Sequence, residues 1–291
     1  MDAATLVRSL ASPTALFVLL WSSGAIASRW ALDHASPLPV LVLRFSLALA
    51  ALLVLCGLRG KPWLPPPEQR GRVLVSGATL IGGYSLCYFQ AMQEGLTPGV
   101  LATLLGIQPI LTLLLMERRF SPWRLLGLLV SLAGLALVVL RGVDGVQLPA
   151  SGLLFALLAL LAMTGGSIVQ KGTVLPPDRV LPLQFVVTLL MCALAAPFQS
   201  WRIDDALALT GPVLWLALVI SVGAQLLLYR LIAAGNLVNV TSLFYLVPVV
   251  TALMDWLLLG NRLGLWGVAG MTLVVAGLWL VFGKRGKPIV I

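Results

Sequence analysis

This sequence predicts an all-α integral membrane protein of ten transmembrane helices, arranged as two inverted five-helix repeats, and three observations carry that prediction. The 291 residues are 60% hydrophobic and only 10% charged, against roughly 25% charged residues in a soluble domain. The apolar residues gather into ten continuous runs, each near the length of about 20 residues that crosses a bilayer as a helix. Lysine and arginine concentrate at alternate ends of those runs.

The first run, 13–31, follows Arg8 and passes Ala25-Ile26-Ala27, the outline of a cleaved leader. A similar run recurs in the second half, so it is read as a span. The second, 37–58, carries Arg44, and the segment from Arg59 to Arg72 contains Pro65-Pro66-Pro67, a stiff extended spacer. Spans follow at 72–92, 96–116 with Pro109 inside it, and 122–140. The second half repeats the series at 150–170, 180–198, 211–232, 236–259 with Pro248 inside it, and 264–282. Continuous apolar runs in lipid are helices, because barrel strands alternate over about ten residues and open strands leave backbone groups unpaired. Ten spans leave roughly 90 residues for all loops and both tails, too few for a separate soluble domain.

The net charge of +9 does not indicate nucleic acid, since the basic residues are not clustered on a solvated segment. They set orientation, because Lys and Arg in short loops stay on the cytoplasmic side. With both termini inside, 14 basic residues fall on cytoplasmic segments, 4 (Arg29, Arg141, Arg202 and Arg262) on outer ones, and Arg44 lies within a span. Removing or adding one helix would reverse every later loop and destroy that bias. A cysteine placed at Gln69 in a cysteine-free background is therefore expected to resist an impermeant thiol reagent added to intact cells. Ready labelling from outside would reverse the orientation.

Cys56, Cys87 and Cys192 are odd in number and embedded in apolar stretches, and His34 is the single histidine. Neither a disulfide framework, a metal site nor a cofactor is indicated. There is no G-x-x-x-x-G-K-[ST] loop to hold a nucleotide, so ATP does not drive this chain.

Internal repetition supplies the architecture. Trp123, Gly127 and Gly134 recur 143 positions later as Trp266, Gly270 and Gly277, while Pro109 recurs 139 later as Pro248. The halves divide as 1–145 and 146–291. Five spans per half is odd, so the halves insert with opposite topology, the plan of secondary transporters that hold solute near the midplane. Glycines seven apart are nearly eclipsed on a helix and give the fifth and tenth helices a smooth stripe for close approach.

Leu20-Trp21-Ser22-Ser23-Gly24, Leu43-Arg44-Phe45, Ala91-Met92-Gln93-Glu94-Gly95, Gln108-Pro109, Glu117 and the Gly127/Gly134 pair together resemble the EamA-type pattern of the drug/metabolite transporter superfamily, over nearly the whole chain. The resemblance implies a ten-helix exporter of small metabolites, often amino acids, with a central cavity lined from both repeats and the fifth and tenth helices to the side. One departure stands out: the acid after the fourth helix is Glu117, but the matching place after the ninth reads Gly260-Asn261.

Candidate site residues are the polar and aromatic groups placed mid-span. A cation at the depth of Arg44 costs about 2.5 kcal/mol or more on insertion scales. Two readings of it stand: an anion or carboxylate contact in the cavity, or a partner in Asp255, Gln90 or backbone carbonyls. Asp255, the only acid well inside a span, is a candidate proton carrier or ion-pair partner, and Glu117 a candidate for coupling or for neutralising Arg118 and Arg119. Trp21 sits away from the interfaces where Trp anchors, and Tyr84 and Tyr88 share a helix face. With Gln108 and Tyr245 they make up the expected solute-binding set, and Pro109 and Pro248 the expected hinges, each crowding the carbonyl four residues earlier.

These features favour a secondary transporter that exports small organic metabolites, most simply amino acids or related compounds, across the cytoplasmic (inner) membrane by alternating access. Drugs or nucleobase-like metabolites are the alternative cargo, and a receptor or scaffold subunit the alternative class. An intramembrane enzyme lacks the paired acids or His/Asp cluster it needs. The partners are a small-molecule solute and the lipid bilayer, and a monomer is compatible with the sequence. Proton antiport, exchange and facilitated diffusion all stay open.

Overall fold

The structure is a computed structural model, and it describes residues 13–140, 149–250, 253 and 265–283. In chain order the helices are α1 Pro13–His34, α2 Pro37–Leu58, α3 Pro67–Gln93, α4 Pro98–Met116, α5 Pro122–Leu140, α6 Ala150–Lys171, α7 Pro177–Ala195, α8 Ala206–Ala234, α9 Leu237–Val250 and α10 Leu265–Phe282. Among the described residues nine of these are long and apolar enough to cross a membrane, and α9 is a shorter apolar helix. The ninth span expected from sequence runs to 259, and 251–252 and 254–264 lie outside the described residues.

Proline opens α1, α2, α3, α4, α5 and α7, where its missing N–H costs nothing and its fixed φ suits the first helical turn. That preference moves the start of α3 to Pro67, five residues before the expected span, and shortens the spacer. Thr97, Asp205 and Asn236 cap α4, α8 and α9 by accepting backbone N–H groups. The Asp205 cap likewise starts α8 five residues sooner than expected.

The third helix of each half departs from α geometry in its middle, with π-helical turns at Gly77–Gly83 in α3 and Trp215–Ala224 in α8. The fourth helix of each half is interrupted ahead of its proline. In α4 the break is at 106–107, before Pro109, and in α9 a 3-10 turn covers Leu243–Tyr245, before Pro248. Pro109 has no N–H to give the Leu105 carbonyl, so one rung of the helical ladder is missing beside the break.

Helices α5 and α10 pack against each other through the repeated glycines. A Cβ on Gly127 would lie 2.6 Å from the Gly277 carbonyl oxygen, and one on Gly134 the same distance from that of Gly270. These contacts pair ascending with descending numbers, so the helices are antiparallel, and the 143-residue shift turns one contact into the other. Ser131 Oγ donates to the Val274 carbonyl at 3.3 Å, and 131 and 274 are themselves related by that shift. The two halves are therefore inverted about a two-fold axis crossing the helix pair near Ser131 and Val274.

Polar contacts tie the bundle at both ends. At the end bearing His34, Ser36 Oγ donates to the Ser200 carbonyl at 2.7 Å. Also there, Glu94 accepts from Ser151 at 2.6 Å and from Gln90 at 3.0 Å, and these bonds hold its carboxyl below the usual range. At the opposite end Lys61 pairs with Asp178 at 2.9 Å, and Lys171 Nζ donates to the carbonyls of Ile232, Ala233 and Gly235, closing the C-terminus of α8.

Candidate solute-binding cavity

A cavity of about 110 Å3 lies in the middle of the bundle. Its wall comes from α1, α2, α3 and α4 of the first half and α6, α7, α8 and α9 of the second, and no described residue of α5 or α10 lines it. A single water occupies about 10–15 Å3 on this scale, so several waters or one small solute would fit.

Five of the six expected solute-binding residues line this space: Trp21, Arg44, Tyr84, Tyr88 and Gln108. Tyr245 does not. It is fully buried in the apolar cluster formed with Val238, Val249 and Val274, and its hydroxyl finds no partner among the described residues. The 3-10 turn before Pro248 accounts for this, because it rotates Tyr245 relative to a continuous α-helix. Pro248 itself lines the cavity, whereas Pro109 is buried behind it.

Arg44 is held in a way the sequence did not indicate. Its Nε donates to Ser221 Oγ at 2.7 Å, and its guanidinium carbon lies 4.9 Å from the centre of the Phe45 ring, a cation–π distance. Gln90, expected as one partner, instead donates to Glu94. Asp255, the other, lies outside the described residues. Ser221 is on the π-helical stretch of α8 and only 2% exposed. Ser221 takes the Nε, Arg44 lines the cavity, and among the described residues no carboxylate lines its wall.

Gln108 is 1% exposed and follows the break in α4. Its Nε2 donates to Ser167 Oγ at 3.3 Å, and its amide oxygen is buried with no partner among the described residues. Around these polar groups the wall is aromatic and apolar. Trp21 packs on Phe17 and Phe244 with ring centres 5.3 and 5.4 Å away, and Tyr84 and Tyr88 lie 5.5 Å apart.

Toward the Glu117 end the cavity meets a buried polar network. Gln225 lines the cavity, and one turn further along α8 the hydroxyl of Tyr229 donates to Gln184 Oε1 at 2.7 Å. Gln184 in turn donates to Ser76 and Gln170 at 2.6 and 3.0 Å. Gln225 and Tyr229, at i, i+4 spacing, share one face of α8. Nothing in the sequence pointed to Gln184 as the partner.

Glu117 does not serve its neighbours Arg118 and Arg119. Both of its oxygens accept from Arg124 Nη1, at 2.7 and 2.8 Å, and Arg124, counted with the cytoplasmic loops from sequence, is fully buried. Adjacent arginines in a loop look like the natural partners on sequence, but Arg124 sits in the first turn of α5 and reaches back.

This bundle of inverted repeats around a central, partly polar cavity has the form of a secondary transporter. The chain belongs to the EamA-like transporter family, which matches it over residues 13–140 and 150–283, once in each half. It is similar to the probable amino-acid metabolite efflux pump of Salmonella typhimurium (strain LT2), with 25% identity over 288 residues that cover 93% of this chain and 94% of that one. A solved crystal structure superposes with a TM-score of 0.77 across 94% of this chain and 97% of its own, at 19% identity, a likeness of fold.

Proposed function

We propose that this protein exports small organic solutes carrying a carboxylate, amino acids or closely related compounds, across the cytoplasmic membrane by alternating access. The observation that carries the reading is Arg44. A guanidinium fixed by Ser221 and Phe45 on the wall of a cavity whose described lining holds no acid is an incomplete ion pair, and a carboxylate completes it by the two-pronged geometry arginine favours. The unpartnered Gln108 oxygen supplies an acceptor suited to an ammonium group. The aromatic wall takes an apolar side chain, and the same wall favours amphipathic drugs as the second reading.

In this reading both termini are cytoplasmic, the breaks ahead of Pro109 and Pro248 are where α4 and α9 flex, and the chain carries out no covalent chemistry. The experiment is thermal unfolding of the purified protein in detergent against a panel of solutes, since a ligand that binds only the folded state raises the midpoint. Amino acids are expected to raise it in a saturable way, and the matching amides and methyl esters are not. Equal shifts from the carboxylate-free analogues would remove Arg44 from the recognition step and favour the drug reading.

A further inference from the structure

We propose that Glu117, Arg124, Asn236 and Asn239 form a one-sided lock that holds the cavity shut at their own end of the bundle, so that the protein rests open toward the opposite face. The proposal rests on the alternating-access reading above. Arg124 donates through Nη1 to Glu117 and through Nη2 to the side-chain oxygens of Asn236 and Asn239, at 2.8 and 2.7 Å. Asn236 Nδ2 closes the ring by donating to Glu117 Oε1 at 3.1 Å. Glu117 and Arg124 belong to the first half, Asn236 and Asn239 to the second, so the cluster ties the two repeats together at this end of the cavity. Parting them strips two charged hydrogen bonds from Arg124, which is 0% exposed, and such bonds are stronger than neutral ones.

The inverted repeat makes the asymmetry visible. If the halves were equivalent, opening either mouth would break equivalent contacts and the two states would be equally populated. The 139-residue shift that relates Pro109 to Pro248 also relates Thr97 to Asn236 and Val100 to Asn239. That register is structural, because Thr97 accepts from Val100 N as Asn236 accepts from Asn239 N. The 143-residue shift places Gly267 opposite Arg124, and Glu117 falls opposite 256–260, a stretch without an acid. A Cβ on Gly267 would meet nothing within 4 Å. Where one end carries two asparagines, an arginine and a glutamate, the other carries threonine, valine and glycine. Among the described residues the cluster has no symmetry-related counterpart, and its bonds are lost only when this end opens.

The test is spin-label distance measurement in nanodiscs, with labels at Arg118 and Val174 on the two halves at the Glu117 end and at Gln93 and Leu207 at the other. The wild type is expected to be closed at the Glu117 end in most molecules. Glu117→Gln, and the double variant Glu117→Gln/Arg124→Met that leaves no lone buried charge, should raise the population open at that end at least tenfold relative to the closed one. Arg119→Gln, an exposed neighbour that removes a charge outside the cluster, should leave both distributions unchanged. Distances in the double variant that match the wild type would overturn the lock, and so would a double variant that no longer folds, since the cluster would then be a structural clamp. The underlying transport reading fails separately, if wild-type protein moves none of the panel solutes in vesicles. A wild type that moves solute while the variants keep its distances refutes the lock alone.

Discussion

Arg44→Gln is expected to lower the affinity for amino acids by roughly 10- to 100-fold, the loss of a charge-assisted pair of hydrogen bonds to the solute carboxylate. It should do so without destabilising the protein. Among the described residues Arg44 has one hydrogen bond, to Ser221, and no carboxylate beside it on the cavity wall, so the charge itself opposes insertion by about 2.5 kcal/mol or more. Glutamine removes that cost and can still reach a hydroxyl. Arg44→Lys keeps the charge but not the planar fork, and belongs between the two. A structural arginine would give the opposite pattern, in which stability falls and every solute suffers alike. Binding isotherms beside unfolding midpoints separate the outcomes, and a destabilised Arg44→Gln with unaltered affinity would return Arg44 to a packing role.

Gly134→Val should be strongly destabilising. The added Cβ would lie 2.6 Å from the Gly270 carbonyl oxygen and 2.7 Å from the Val274 backbone nitrogen, and backbone cannot swing aside as a side chain can. Helices α5 and α10 must separate along the stripe, at a cost of about 1–3 kcal/mol or more. Gly267→Ala in the same α10 meets nothing within 4 Å and should be neutral or stabilising by about 1 kcal/mol, alanine being the better helix former. Unfolding of the two variants in detergent measures the difference. A Gly134→Val protein as stable as wild type would show that the helices are not held by close backbone approach.

The sequence was most informative where physics leaves a periodic trace. Apolar runs of membrane length marked the helices, and the glycines repeated at 143 positions located the antiparallel α5–α10 crossing, because close backbone approach admits no other residue. Trp21, Arg44, Tyr84, Tyr88 and Gln108 could be grouped because a polar or amphipathic group in mid-span needs a partner. Ser221 escaped notice for a related reason: a serine in an apolar run can satisfy itself on its own helix, and the π-helical turns that aim it at Arg44 leave no mark in composition. Tyr245 was misplaced because closeness to Pro248 in sequence does not fix which face a residue presents across a 3-10 turn. Arg124 was read as a loop cation since its place near a helix start is what such residues share. Only the three-dimensional approach of Asn236 and Asn239 shows that it is buried.

Whether the cavity carries a carboxylate-bearing solute across the membrane without another subunit is read out by counterflow. Purified protein is reconstituted into vesicles loaded with an unlabelled amino acid, diluted into a trace of the same amino acid in radiolabelled form, and followed with and without an imposed pH gradient. The account predicts transient accumulation of label above equilibrium, absent from empty vesicles and strongly reduced with Arg44→Gln, and a change in its extent under the gradient would mark proton coupling. Failure to accumulate any of the twenty common amino acids by well-folded wild-type protein would contradict it.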